Sequence, residues 1–169
     1  MNERTRASLT GEPTGDPYLD LATQATALFE GERDFIANSA NLSSLIFHSL
    51  KDVNWCGVYL LRGEELVLGP FQGKVACVRI PVGRGVCGTS AVSQRTVCVP
   101  NVNAFPGHIA CDSESRSEIV VPLIVADGQF VGVLDIDSPS LGRFGDQDAA
   151  GLERIAELLL ASSDAPAGA

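Results

Sequence analysis

Residues 118–137, EIVVPLIV-ADG-QFVGVLDID, constrain the fold more than any other part of the chain. Two apolar runs flank Ala126-Asp127-Gly128, and Asp-Gly signals a tight hairpin because glycine accepts the positive φ such turns require. A chain carrying this segment is expected to build an antiparallel sheet. A second hairpin is predicted in WCGVYLLRGEELVLGPF, residues 55–71, around Arg62-Gly63-Glu64. VACVRI at 75–80 and TVCVP at 96–100 read as further strands, the second ended by Pro100. A Gly-rich turn and a short helix from about Val86 lie between them.

The flanks have a different period. Tyr18, Leu21, Ala22, Ala25, Leu28 and Phe29 recur at helical spacing, Gly31 interrupts, and Asp34 can cap a second helix burying Phe35, Leu42, Leu45, Ile46 and Leu50. A last amphipathic helix starts at Gly145 or Asp146 and carries Leu152, Ile155, Ala156 and Leu159. The class is therefore α+β, with a central antiparallel sheet of about six strands. The N- and C-terminal helices are expected on one face, leaving the other face and its long loops for a pocket.

At 169 residues the chain suits one domain, expected over 18–162. Residues 1–17 read as a disordered polar tail and 163–169 as a flexible one. A net charge of −9, from 21 acidic against 12 basic residues, argues against nucleic acid as partner. No apolar run reaches the ~20 residues a membrane helix needs, and the N-terminus lacks a secretory apolar core, so a cytoplasmic protein is expected. Gly83-Arg84-Gly85-Val86-Cys87-Gly88 matches G-x-G-x-x-G. No acidic residue follows before Cys111 and no parallel crossover is apparent, so these glycines are read as a strand-to-helix turn and not as a dinucleotide site.

Five cysteines, Cys56, Cys77, Cys87, Cys98 and Cys111, form no C-x-x-C pair, and His48 and His108 are the only histidines. A zinc site is poorly supported and no metal is expected. Strand alternation puts Cys56, Val58 and Leu60 on one face and Trp55, Gly57, Tyr59 and Leu61 on the other. Cys56 and, between two valines, Cys98 are expected as core residues. Cys111 sits in a long polar loop, HIACDSESRSE, where His108 and Arg116 could favour a thiolate. Asp135 and Asp137 share a strand face about 7 Å apart. If they and Glu118 face an enclosed pocket, repulsion and desolvation raise at least one carboxyl pKa and leave a proton donor near neutral pH.

The words ACVRIPVGRGVCGTSA (76–91), FPGHIACDSESRSEIVVP (105–122) and GVLDIDSP (132–139), with NWCGVY (54–59), closely resemble the free methionine-(R)-sulfoxide reductases, which are stand-alone GAF domains. The resemblance implies a GAF-like fold and reduction of free L-methionine-R-sulfoxide by thiol chemistry. By position, Cys111 matches the family's catalytic cysteine and Cys77 the resolving one. Cys87 matches a third cysteine able to form alternative disulfides. Cys77 and Cys87 fall in the segment that acts as a mobile lid in this family. Glu118, Asp135 and Asp137 match the acidic groups around the sulfoxide oxygen and substrate ammonium, and Trp55 and Tyr59 the aromatic wall. Backbone N–H groups, or Ser115 and Ser117 near the loop, are candidates for holding the substrate carboxylate. No cofactor is implied beyond an external dithiol, expected to be thioredoxin, and the family often forms homodimers. Two other readings stay open: a GAF module that binds a small molecule without turnover, and a thiol redox sensor.

Overall fold

A computed structural model describes residues 13–107 and 113–166. Two aspartates open the first helices. Asp16 accepts from the backbone N–H groups of Tyr18 and Leu19 at the start of α1 (Pro17–Phe29), and Asp34 accepts from Ala37 at the start of α2 (Phe35–Ser49). Such caps satisfy donors that the first turn leaves orphaned. The predicted stripes are the buried ones: Leu21, Ala22, Ala25 and Phe29 on α1, and Phe35, Leu42 and Ile46 on α2.

Six strands follow: β1 (Trp55–Arg62), β2 (Glu65–Gly73), β3 (Arg79–Pro81), β4 (Val97–Val99), β5 (Ser117–Ile124) and β6 (Phe130–Ser138). They form one sheet in the order β3-β2-β1-β6-β5-β4, and every neighbouring pair is antiparallel. The short helix α3 (Gly85–Ser93) joins β3 to β4, and α4 (Asp146–Ser162) closes the described fold. Both expected hairpins are present, turning at Gly63 (φ 63°) and Gly128 (φ 89°).

Helices α1, α2 and α4 cover one face of the sheet, where Cys56, Val58, Leu60, Ile119, Val121, Leu134 and Ile136 meet the helix stripes. On the other face a smaller cluster gathers Trp55, Tyr59, Leu66, Val120 and Val133 under Val86, Cys87 and Ala91 of α3. The alternation read from the sequence thus separates a helix-packed core from a second face. At the sheet centre a Cβ on Gly132 would lie 2.2 Å from the Tyr59 carbonyl oxygen, so only glycine lets β6 approach β1 there.

Two local expectations differ from the fold. Of residues 75–80, only the end joins the ladder: β3 pairs Arg79, Ile80 and Pro81 with Val67, Leu66 and Glu65. Further back the opposing strand offers Pro70, which has no N–H to donate, and Val75 and Val78 are exposed. Cys98, expected in the core, is exposed. It lies on β4 at the sheet edge, its Sγ 3.1 Å from the carbonyl of Phe144. Flanking valines identify a strand but do not provide a covering helix.

Candidate active site

The register of β1, β6 and β5 aligns two rows on the second face. Trp55 stands opposite Asp137, which stands opposite Glu118; in the adjacent row Phe71, Gly57, Asp135 and Val120 are successive cross-strand partners. Directly opposed residues hold their side chains within reach of one another, so this register alone brings three carboxyls together beside an aromatic wall. Gly57 makes the wall possible. A Cβ there would be 2.5 Å from Phe71 Cβ and 2.6 Å from the Trp55 ring, space the indole occupies instead.

Trp55 stacks on Phe71 (centroids 5.5 Å apart, planes at 14°) and on Tyr59 (5.8 Å, 26°). The segment 74–77 crosses above these rings. Trp55 Nε1 donates to the Lys74 carbonyl at 3.1 Å, and the Tyr59 hydroxyl donates to the Cys77 carbonyl at 3.0 Å. Lys74 also forms an ion pair with Glu114. Phe71 was missed in reading the sequence, although the hairpin register places it across from Gly57.

Glu118 and Asp135 are each only 6% exposed, whereas Asp137 is half-buried. Cys87, 3% exposed, reaches down from α3 with its Sγ 3.8 Å from Glu118 Oε1. One donor atom from each of Cys87, Glu118 and Asp135 lies within 4.8 Å of the others. Burial pushes the Glu118 carboxyl well above the usual range, and the neighbouring Asp135 and Asp137 charges push it further. Burial raises Asp135 as well, to about 7, although the hydrogen bonds it accepts from Cys87 and Glu118 oppose the rise. Burial and the same acidic neighbours raise the Cys87 thiol. The order is physically consistent: Asp135, which accepts from both neighbours, is the first of the pair to ionise, and Glu118 is the one that holds its proton longer. Close proximity does not make the trio a metal centre, because burial raises the pKa of all three donors and a ligand must give up its proton to bind a cation.

Asp135 Oδ1 is buried, and among the described residues nothing donates to it. Such an acceptor is costly to leave unmet and fits a bound cationic donor. It also gives a stability prediction. A carboxyl whose folded pKa is raised contributes stability at low pH that is lost as pH rises toward the folded value. Between pH 5 and about 7 the loss at Asp135 amounts to about 3 kcal/mol. Asp135→Asn is therefore expected to raise the unliganded melting temperature more at pH 8 than at pH 5, by roughly 5–10 °C in difference. Calorimetry at both values checks this; an equal change at each pH would contradict a raised Asp135.

Other predicted site residues fall elsewhere. Ser117 belongs to the opposite alternation from Glu118, so its side chain turns away from this face. It donates to the Ser140 carbonyl at 2.7 Å and accepts from Arg143 N–H at 3.3 Å. Ser115 is engaged by Asn54 Nδ2 at 3.1 Å. Cys77 is half-buried and disulfide-bonded, whereas Cys56, Cys87 and Cys98 carry free thiols. Cys111 and His108 lie outside the described residues. The glycine-rich stretch is the expected turn: Gly83 and Gly85 take φ of 87° and 64°, and Gly88 lies too close to the Pro81 carbonyl for any side chain.

The GAF domain family profile matches residues 44–161. The free methionine-R-sulfoxide reductase of Escherichia coli is 53% identical over 150 residues, covering 87% of this chain and 90% of that protein. A solved structure of fRMsr from Staphylococcus aureus in its reduced form is 48% identical, with a TM-score of 0.83 over 89% of this chain and 96% of that one. The free methionine-R-sulfoxide reductase of Neisseria meningitidis, solved in complex with its substrate, is 42% identical, with a TM-score of 0.84 over 90% of this chain and 92% of that one.

Proposed function

The chain belongs to the free methionine-R-sulfoxide reductase family of GAF-domain proteins, and from that membership we propose that it reduces free L-methionine-R-sulfoxide with Cys111 as nucleophile. The observation that carries the reading is the buried Glu118–Asp135 pair beside the Trp55–Tyr59–Phe71 stack. A sulfoxide oxygen cannot depart as a free anion, and a carboxyl whose pKa is raised by burial and by neighbouring carboxylates supplies the proton the step needs.

The Cys111 thiolate attacks the sulfoxide sulfur while Glu118 protonates the oxygen. The S–O bond and the S–S bond formed in the attack both break as the oxygen passes to the Cys111 sulfur, so that methionine leaves and Cys111 is left as a sulfenic acid. The substrate gains two electrons and Cys111 loses them. A thiol of Cys77 then displaces the hydroxyl as water, forming a disulfide. The engaged state of Cys77 beside a free Cys87 thiol supports Cys77 as the resolving residue. An external dithiol protein, thioredoxin, restores both thiols by exchange in the cytoplasm. The chemistry requires no metal or organic cofactor. Among the described residues no helix is long and apolar enough to cross a membrane.

Free substrate differs from a methionine residue in a peptide by its ammonium and carboxylate. Asp135, whose Oδ1 lacks a donor among the described residues, and Asp137 suit the ammonium, and the cation's charge would return Asp135 to its ionised form. A peptide amide brings no such charge and leaves the acceptor unmet, so selectivity for the free amino acid follows. Trp55 and Tyr59 offer the apolar surface for the methylthio end. The Ser117 hydroxyl, engaged with Ser140 and Arg143 away from this face, has no part in binding the substrate.

The test is NADPH consumption coupled through thioredoxin, with the free R epimer, the free S epimer and an R-sulfoxide peptide as substrates. Turnover of the free R epimer is expected, with the other two at least ~100-fold slower in kcat/KM. No turnover of any of the three, even with dithiothreitol as reductant, would overturn the enzyme reading and favour a ligand-sensing module.

A further inference from the structure

Among the described residues, Cys87 is the one thiol on the second face that the proposed cycle does not use. We infer that it serves as a hydrogen-bond donor that positions the Glu118–Asp135 pair, and not as a second resolving thiol. The inference rests on the reductase reading for its kinetic consequence, though not for its geometry.

Cys87 sits in the first turn of α3, and that turn is fixed. The Gly88 carbonyl accepts from Gly83 N–H at 3.0 Å, and Gly88 N–H donates to Arg84 O at 3.1 Å. A Cβ on Gly88 would lie 2.7 Å from the Pro81 carbonyl and 2.9 Å from Gly83 N, so helix and preceding turn are in close contact. Below, the thiol meets Glu118 Oε1 at 3.8 Å within the three-residue cluster. Among the described residues, the groups facing the pair are Cys87 from α3, Asp137 from β6 and Tyr59 from β1. The Tyr59 hydroxyl points instead to the Cys77 carbonyl, which leaves the thiol as the donor that α3 supplies.

An S–H group donating to Oε1 fixes the rotation of the Glu118 carboxyl and leaves the second oxygen to carry the acid proton. It also favours the ionised form of whichever carboxyl accepts it, opposing the rise that burial imposes. A resolving thiol has different needs: it must ionise and reach a sulfenic acid. Cys87 is buried among acidic groups, and Cys77, in contrast, is half-exposed and already disulfide-bonded. Cys87 is therefore a positioning residue acting through Glu118.

The experiment compares wild type, Cys87→Ala and Cys87→Ser in three readouts. With free L-methionine-R-sulfoxide, Cys87→Ala is expected to lower kcat about 5–20-fold with KM within twofold, and to move the alkaline limb of kcat to higher pH. Cys87→Ser, whose hydroxyl can still donate, is expected to regain most of kcat. Disulfide formed after one equivalent of substrate should match wild type in both variants. Independently of turnover, the carbonyl stretch of the protonated carboxyls, followed by infrared titration, should persist to higher pH in Cys87→Ala and return towards wild type in Cys87→Ser. Equal loss of thioredoxin-driven recycling in both variants, with methionine release intact in the first turnover, would instead make Cys87 a resolving thiol. Unchanged kinetics and an unchanged infrared titration in Cys87→Ala would also overturn the inference. A wild type without turnover defeats the reductase reading and leaves the infrared test of the hydrogen bond standing.

Discussion

Cys111→Ser is expected to abolish reduction of free L-methionine-R-sulfoxide, by about 10^4-fold or more in kcat/KM. A serine hydroxyl remains protonated at neutral pH and is a far weaker nucleophile towards sulfur than a thiolate. The variant should also fail to release methionine in a single turnover with dithiothreitol, because the lost step precedes recycling. Cys77→Ser is expected to behave differently. Its first turnover should run at the wild-type rate, release about one methionine per protein, and then stall under thioredoxin, with Cys111 left as a sulfenic acid that dimedone traps. Mass spectrometry of the two variants after one equivalent of substrate distinguishes nucleophile from resolver. Serine replacements of Cys56, sealed in the helix-packed core, and of Cys98, on the edge strand, should leave turnover unchanged. A Cys111→Ser protein that still releases methionine would move the chemistry to another thiol and undo the mechanism.

Much of this arrangement is legible in the chain because sheet faces follow a period of two. Once WCGVYLLR and GVLDID are strands, Trp55 and Tyr59 must share one face and Cys56 the other, and Asp135 and Asp137 must share theirs. The same rule would have removed Ser117, which neighbours Glu118 and therefore faces the helices. A word shared with a family fixes positions, not the direction of each side chain. Cys98 illustrates a second kind of loss. Its flanking valines identify a strand, but burial depends on whether some distant element covers that strand, and β4 lies at the sheet edge. The contact of Cys87 with Glu118 joins residues 31 positions apart through the docking of α3, and no local pattern carries that information. Phe71 stands between these cases: hairpin pairing brings it to the wall, but a bulge between Gly57 and Tyr59 shifts the register a sequence count would assign.

Glu118→Gln isolates the proton from everything else the residue does. Glutamine keeps the size of the side chain and its place opposite Asp137, and its amide can still donate to Asp135, but it has no acid proton to give. If Glu118 protonates the departing oxygen, kcat should fall about 10^2–10^4-fold, the range over which a positioned acid contributes, while KM changes little. The pH dependence should change with it. In the wild type kcat requires Glu118 protonated, so it falls as pH rises through that residue's elevated pKa. The alkaline limb from this group should vanish in the glutamine variant. Asp135→Asn has the opposite signature. Asp135 is useful when ionised, above about 7 in the unliganded protein, and losing its charge should raise KM for the free amino acid more than it lowers kcat. The contrast follows from one physical asymmetry within a pair of adjacent buried carboxyls. Glu118, buried and repelled by two neighbouring charges, holds its proton longer, and Asp135, which accepts from both Glu118 and Cys87, releases its own first. If Glu118→Gln instead left kcat within threefold of wild type with its alkaline limb intact, the acid would have to be sought elsewhere. Asp135 would then be tested next, with the roles of the two carboxyls exchanged.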